Sequence, residues 1–596
     1  MNTGKFLSSN ALAFQSAFTA HKQGRLDAAK AGYEQVLRRD AGDAEALHLL
    51  GVVHWQTGNL IEAEKLICKA LAVSERADFL QNFGDVLKDG GRLAEAEAAY
   101  RRAVTIDSDL VEAHNKLSNL LHGSRRLAEA EVSYRRTLEL KPDFAEGHNN
   151  LGLLLHDSRR LEEAELAFRR ALELKPGFVE AHFNLGRLLY SSKRLVEAEA
   201  AYRRALALRP HYAKAQTNLG LVLKDSKRLV EAEAAYRCAL ELAPDLADAH
   251  NNLGVLLQDG MRLTEAEAAY RRAIDLRPDY AEARVNLSIL LLLLQRYPEA
   301  WPLHESRFVP FGIDVPALSY PHWQGESLAG KSLMIWLEQG FGDYIQFVRY
   351  ASLLKARGVA RLTLVCHRVL QALLETVEGV DAVVTDPAKV PAHDYWSFSL
   401  SLPLHFATTA DTIPVAPLPY VHALPDRIVQ WRDRLPAASV RKVGLVWKGH
   451  PQHKNDANRS LPGLASLAPL WSVPGVVFIS LQKGQGEDEA AQPPAGQALV
   501  ALGAQLADFA DSAAIVSQLD LVICVDTAIA HLAGAMNKPC WVLLPATGTD
   551  WRWQLDRLDS PWYPSIRLFR QSAIGDWSAT VGELAAALHV WADAHA

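Results

Sequence analysis

The sequence is poor in the features that mark disulfide scaffolds, membrane spans and nucleic-acid binders. Its five cysteines (Cys68, Cys238, Cys366, Cys524, Cys540) are scattered over 596 residues with no Cys-x-x-Cys pair. That usage fits a reducing compartment and argues against a disulfide framework or a cysteine-built zinc site. The longest apolar run, Ile289 to Leu294, is far too short to span a bilayer. The N-terminus, MNTGKFLSSNALAFQSAF, has no basic stretch followed by an apolar run, so no signal peptide is read there. The cytoplasm is the expected location. An excess of one charge is lacking too. The 63 basic and 69 acidic residues leave a net charge of -6, which gives no reason to expect nucleic acid or an anionic membrane as a partner.

What is present is ordinary in composition, 49% hydrophobic and 22% charged, and long enough for several domains. The first half repeats itself. Frames start at Asn10, Ala44, Ala77, Val111, Ala145, Val179, Ala213, Ala247 and Ala281, 34 residues apart except for 33 between Ala44 and Ala77. Small residues hold the eighth place, among them Gly51, Gly84, Ser118, Gly152 and Gly220. Alanine holds the twentieth place from Ala29 to Ala300, and an aromatic follows four residues later in most frames (Tyr33, Tyr100, Tyr134, Phe168, Tyr202, Tyr236, Tyr270). Small residues let two antiparallel helices approach closely. The aromatic, on the same helix face as the alanine, is expected to fill the gap to the neighbouring repeat. Prolines such as Pro142, Pro176 and Pro210 stop the second helix. One such pair cannot bury its apolar face alone, so the pairs must stack.

The sixth place carries Asn82, Asn150, Asn184, Asn218, Asn252 and Asn286, with Lys116 in the gap. Asparagine offers both donor and acceptor, so a row of them can grip an extended peptide backbone. The competing reading is that each bonds to the backbone of the adjacent repeat. The paired arginines (Arg101-Arg102, Arg135-Arg136, Arg169-Arg170) read as a solvated face balanced by nearby glutamates.

The period fails after Ala300. Residues 308–330, rich in Pro and Gly, read as a linker, long enough that it is expected to pack against both halves. From Lys331 strands and helices alternate: SLMIWLE, RLTLVC and DAVVT, then VGLVW, VVFIS, LVICV and CWVLL. Two such series predict two Rossmann-like lobes facing each other across a cleft. A closing helix is expected at 577–595, crossing back to the first lobe. The domains read as repeats over 1–300, a linker over 301–330, a first lobe over 331–430 and a second over 431–596.

Two turns at strand ends carry candidate chemistry. EQGFGD joins the first strand to a helix, and Gly340 and Gly342 let the backbone approach a ligand. Asp343 is either the cap of that helix or a base facing the cleft. In LVICVDTAIAHLAGAMNKP, Asp526 and Thr527 stand where a helix begins and His531 is one turn on. Free N–H groups, a hydroxyl and an imidazole there suit a diphosphate, although capping alone would place the same residues. Lys448, Arg459 and Lys483 follow strands on the same edge and add positive charge. No GxGxxG is present, and no Asp-x-Asp metal motif occurs in this half. The aromatic stretch DWRWQLDRLDSPWYP reads mainly as packing between the lobes and the final helix.

The repeat pattern resembles the tetratricopeptide family, and its asparagine row is similar to the ladders of peptide-binding arrays of that kind. The second half resembles glycosyltransferases of two-Rossmann-lobe (GT-B) type, and among them the lipopolysaccharide heptosyltransferase family. The resemblance rests on the strand-Gly-x-Gly-Asp turn at Gly340 to Asp343 and on VDTAIAHLAGAMNKP. It implies that Asp343 deprotonates the acceptor hydroxyl and that Asp526, Thr527 and His531 hold the donor diphosphate, with Lys448 as a phosphate contact. Ala528 stands where that family has glycine. The implied fold is an α-helical tetratricopeptide superhelix followed by α/β lobes. The implied function is a metal-independent, inverting glycosyltransferase that needs no cofactor beyond a nucleotide-sugar co-substrate and acts on a protein held by the repeats. The alternatives are a scaffold whose transferase half has lost its chemistry, and a transferase acting on a glycan or lipid.

Overall fold

The computed structural model describes residues 9–336, 338, 340–415, 417–437, 439–453 and 455–594. Part of the N-terminal stretch read for a signal, Leu337 and Gln339 beside the glycine turn, and residue 595 of the expected last helix lie outside them. The chain forms two compact units, Met1–Pro244 and Asp245–Ala596. Their division falls inside the repeats rather than at residue 300.

In the first unit the helices begin where the frames do. Their first helices are Ala44–Gln56, Ala77–Asp89, Val111–Gly123 and so on to Ala213–Asp225, each followed by a partner such as Leu60–Val73 or Leu229–Leu242. The turn between the two needs a left-handed residue at the fifteenth place. Early frames use Gly24, Gly58 and Gly91, whereas later ones force Arg125, Arg159, Lys193 and Lys227 to φ near 60°. The aromatic lies over the eighth residue of its own repeat, not in the gap to the next. A Cβ on Gly84 would stand 2.4 Å from Tyr100 Cε1, and one on Gly220 would stand 2.5 Å from Tyr236 Cε1.

Asn82, Asn150, Asn184 and Asn286 of the row bond to other side chains. Asn184 Nδ2 donates to Asn149 Oδ1 at 2.9 Å, Asn150 Nδ2 to Asn119 Oδ1 at 3.1 Å, and Asn82 Nδ2 lies 2.9 Å from His48 Nε2. Lys116 breaks the row because its ammonium pairs with buried Asp85, which also accepts from Tyr100 Oη at 2.8 Å. On the outer face a second row appears. Arg126, Arg160, Arg194 and Arg228, each just before a second helix, bridge a glutamate three residues on to one in the preceding repeat.

The second unit holds two repeats, a strap and two parallel sheets. Its last repeat helix runs Tyr297–His304, past the expected boundary. The strap then lays Phe308, Ile313, Leu318 and Tyr320 against Met334, Val365, Trp396 and Phe398 of the first lobe. That lobe's strands are β1 (Ser332–Trp336), β2 (Arg361–Val365), β3 (Ala382–Val384) and β4 (Tyr395–Phe398), in the order β3-β2-β1-β4. The second lobe holds β5 (Arg441–Val446), β6 (Val476–Ser480), β7 (Val500–Ala501), β8 (Leu521–Val525), β9 (Cys540–Leu544) and β10 (Ile566–Arg570), in the order β10-β9-β8-β5-β6-β7. Every pairing is parallel. The sequence reading missed β4, β7 and β10. The final helix, Ser578–Ala594, does not cross back to the first lobe. Its Val581, Leu584 and Leu588 are buried in the second lobe's own core with Trp541 and Phe569. Among the described residues no helix is long and apolar enough to cross a membrane.

Candidate active site

Strand order reverses between β1 and β4 in the first sheet and between β8 and β5 in the second. Crevices open at the carboxyl ends of strands at such points. The Gly340–Asp343 turn follows β1, the Asp526–Thr527 turn follows β8, and Lys448 follows β5, so three of the expected segments sit at switch points.

The two turns meet. The first-lobe helix Phe341–Phe347 packs on the second-lobe helix Ala528–Ala535. Gly342 makes this possible, since a Cβ there would lie 2.6 Å from His531 Cδ2. Asp343 does two things at once. Its Oδ2 accepts from the Gly340 N–H at 2.9 Å, capping the helix, and its Oδ1 accepts from the Arg552 guanidinium. The helix cap and the carboxylate that meets the second lobe are therefore the same residue. Burial raises the Asp343 pKa, Arg552 opposes the rise and Asp550 adds to it.

Arg552 organises the neighbourhood. It is 5% exposed and lies flat over Trp551, 4.4 Å from the ring centroid. Nη1 meets Asp550 Oδ2 at 3.0 Å and Oδ1 at 3.1 Å, Nε donates to Gln346 Oε1, and Nη2 donates to Asp343. Burial raises the Asp550 carboxyl, but Arg552 more than cancels this and holds it below its usual range. Asp526 is shifted the other way. Burial and Asp550 push it up to about 6, with Arg459 opposing.

His531 is 6% exposed, with Nδ1 2.9 Å from Tyr563 Oη and its ring against Trp553. Burial, reinforced by Arg552, drives its pKa down to about 3, so the imidazole is neutral at pH 7. The buried Thr527 Oγ1 at the head of its helix has no hydrogen-bond partner among the described residues. Arg459 leans over Gly449, just after β5, where a Cβ would stand 2.7 Å from its Nη2. It lies close enough to Asp526 and His453 to influence both.

The structure thus gathers Gly340, Gly342, Asp343, Arg459, Asp526, Thr527 and His531. It does not gather the two lysines in the same way. Lys448 Nζ donates to Pro462 O at 2.9 Å and faces Glu489 at 3.6 Å, while Lys483 Nζ donates to Leu506 O at 2.6 Å. Sequence reasoning missed Asp550 and Arg552. The signal available was that Pro545–Asp550 follows β9 on the same sheet edge as the Asp526 turn. The aromatic stretch does not pack the final helix to the lobes: Trp551 and Trp562 lie against Tyr297, and Trp551 also lies against Trp301, both in the last repeat helix. Among the described residues no group of three His, Cys, Asp or Glu side chains is arranged to hold a metal.

The chain thus carries a helical-repeat array followed by two parallel sheets, with charged turns meeting at both switch points. Comparison with known families gives that arrangement its terms. Tetratricopeptide repeat families match residues 19–79, 84–124, 115–177, 167–213, 183–247, 217–278 and 251–309, and glycosyltransferase family 9 (heptosyltransferase) matches residues 470–550. Over those residues the chain is similar to tetratricopeptide repeats and to part of a family 9 glycosyltransferase domain. It is 32% identical over 330 residues to Protein FlbA of Caulobacter vibrioides, covering 50% of this chain and 54% of that protein. The chain thus spans about half the length of this curated relative. Among solved structures it is similar to YrrB, a tetratricopeptide protein described as having an unusual peptide-binding site. There the identity is 25%, the coverage 31% of this chain and 95% of that one, and the TM-score 0.27. It is also similar to pilF of Pseudomonas aeruginosa, at 21% identity, 35% and 95% coverage and a TM-score of 0.32.

Proposed function

We propose that this chain transfers a sugar from a nucleotide-sugar donor to a hydroxyl of a protein held by the repeats, with inversion and without a metal. The observation that carries the reading is the meeting of Asp343, at the end of β1, with the Asp526–His531 turn, at the end of β8. A base on one lobe and a diphosphate cradle on the other would face a single bond. Asp343 takes the acceptor proton as the hydroxyl oxygen attacks the anomeric carbon from the side opposite the leaving diphosphate. The diphosphate departs toward the head of the Ala528–Ala535 helix, where free N–H groups, the Thr527 hydroxyl and Arg459 stabilise its charge. Neutral His531 is a hydrogen-bonding group there rather than a cation. Lys448 and Lys483 join this set only after leaving the carbonyls they now hold. The asparagine row presents the acceptor with whatever hydrogen-bonding capacity remains after its own side-chain bonds.

The engagement of both lysines and of Asp343 within the protein favours one rival, a scaffold whose transferase half has lost its chemistry. Two measurements separate the readings. Nucleoside diphosphates and their sugars should raise the melting temperature of the full chain, because ligands of the native state stabilise it. Intact-mass analysis of a co-expressed acceptor should show a sugar-sized gain with wild type, reduced about 10²–10⁴-fold in rate by Asp343→Asn. Equal inertness of wild type and Asp343→Asn with every nucleotide sugar, while a protein partner still binds, would give the case to the scaffold.

A further inference from the structure

Three consecutive side chains on one short turn, Trp551–Trp553, reach three different parts of the second unit. Trp551 packs against Tyr297 and Trp301 of the last repeat helix. Arg552 reaches Asp343 and Gln346 on the first-lobe helix. Trp553 lies against His531 on the second-lobe helix. Arg552 is the charged member, and each of its three nitrogens meets a different side chain. Two of the three partners lie in the first lobe, and the third, Asp550, lies in the second.

We propose that Arg552 is a positioning residue for the base: shared between Asp550 of the second lobe and Asp343 of the first, it orients the Asp343 carboxylate only while the two lobes are closed on each other. The proposal rests on the reading of Asp343 as the base. Gly340 N–H holds Oδ2 and Arg552 holds Oδ1, so the carboxylate plane is fixed at both oxygens and each keeps a lone-pair direction for an acceptor hydroxyl. Placement matters at this level, since a displacement of about 1 Å costs on the order of 10²-fold in rate. If the lobes part, Arg552 stays with Asp550 and Asp343 loses its second anchor. Base and donor cradle are then assembled by one event, which limits wasted hydrolysis. Lysine cannot serve three side chains from one planar fork, so a substitution that keeps the charge should preserve only part of the effect.

The pH behaviour provides the discriminating readout. The charged and titratable groups around Asp343 are Arg552 and Asp550, with His453 close by, while His531 and Asp526 lie on the facing turn. Arg552 lowers the Asp343 pKa and Asp550 raises it. The test measures transfer to a protein acceptor against pH for wild type, Arg552→Met, Arg552→Lys and Asp550→Asn, using a nucleotide sugar that wild type turns over. Arg552→Met should lose about 10²-fold in kcat, with donor KM changed less than about threefold. Its acid limb should move up by about one pH unit. Asp550→Asn should move the limb down, and Arg552→Lys should recover only part of the lost rate. A second measurement does not need turnover: the thermal midpoints of Asp343→Asn, Arg552→Met and the double variant should be non-additive. An Arg552→Met limb that stays in place, or an Arg552→Lys variant as slow as Arg552→Met, overturns the proposal. So do additive midpoints in a protein whose wild type transfers sugar. If wild type transfers from no donor, the reading of Asp343 as a base fails first and takes the proposal with it.

Discussion

Arginine is used in opposite ways by the repeats, where Arg296 of the second unit follows the same pattern, and by the strap and lobes. In the first, Arg126, Arg160, Arg194 and Arg228 stand at the surface, about 40% exposed, each bridging two glutamates at the same register. In the second, Arg307, Arg349 and Arg552 are 0%, 4% and 5% exposed. Arg307 is enclosed by Glu338, Glu305 and Ser401, and it ties the end of the last repeat to the end of β1. Arg349 donates to Pro414 O, Trp562 O and Tyr420 Oη. The repeated unit spreads its charge pairs over many cheap, water-screened positions. The strap and lobes hold a few desolvated ones, where losing one partner is expensive. A repeat tolerates losing a bridge because its fold is carried by packing between neighbours. The lobes do not, because their bridges fix which strand ends face each other.

The largest expected effect comes from cutting the buried arrangement. Arg307→Met strands Glu338, whose pKa burial already raises and Arg307 restrains. Removing one partner of such a pair costs roughly 3–5 kcal/mol. Every tryptophan except Trp55 lies in the second unit, so fluorescence-detected urea unfolding reads that unit. A midpoint indistinguishable from wild type would show that the pair carries no such weight.

What the sequence made legible divides along the same line. Helix starts from Ala44 to Ala281 could be read to the residue, because each repeat meets only its neighbours and the period records those contacts. The turns at Gly340–Asp343 and Asp526–His531 were legible because strand-turn-helix patterns are local. Arg552 was not, since its partners Asp343 and Gln346 lie 209 and 206 residues away. The placing of the final helix failed for a related reason. Its apolar face announces burial, but nothing local says which lobe supplies the other side.

The next contrast concerns glycines. Gly220→Ala drives a methyl into the Tyr236 ring, a rigid neighbour, and overpacking of this kind costs roughly 1–3 kcal/mol. Circular dichroism at 222 nm, dominated by the repeats, should show the loss. Gly342→Ala pushes instead on His531 at the lobe contact, so its effect should appear in tryptophan fluorescence and leave the repeat signal unchanged. If both variants moved both signals equally, the two units would not be separable in this way.

A smaller effect, with a sign that can be worked out, comes from pH. Asp526 titrates at about 6 in the folded protein against an ordinary 3.8, because burial and Asp550 disfavour its charge. A raised acid stabilises the fold below the unfolded value and loses that contribution as pH rises through 6. Asp526→Asn removes the penalty, so its melting temperature minus that of wild type should be greatest above pH 6 and shrink toward pH 4. His531, depressed to about 3 by burial, behaves in the opposite sense. Its contribution is intact above about 6.5 and falls as the solution is acidified. For His531→Gln the difference from wild type should therefore grow between pH 6.5 and 4. Two flat differences would contradict the desolvated site.

The smallest effect is expected at a surface bridge whose bonds are nonetheless short. Arg194 meets Glu165 at 2.5 Å and Glu197 at 2.6 Å, closer than Arg307 meets Glu338. Distance is a poor guide here, because the Arg194 side chain is 39% exposed and Glu197 is 48% exposed. Water screens both charges and resolvates them when the bridge opens, and holding two long side chains in register costs entropy. Arg194→Ala should leave the circular-dichroism midpoint within error of wild type at 0.15 M salt, with the same result at 0.5 M. Each glutamate it leaves also contacts a second arginine: Glu165 pairs with Arg169 at 2.7 Å, and Glu197 lies 3.4 Å from the same Arg169. A clear drop that vanished at the higher salt would mean that the outer row acts as one connected brace along the repeats. The contrast between spread and concentrated charge would then hold for single residues only, not for the units.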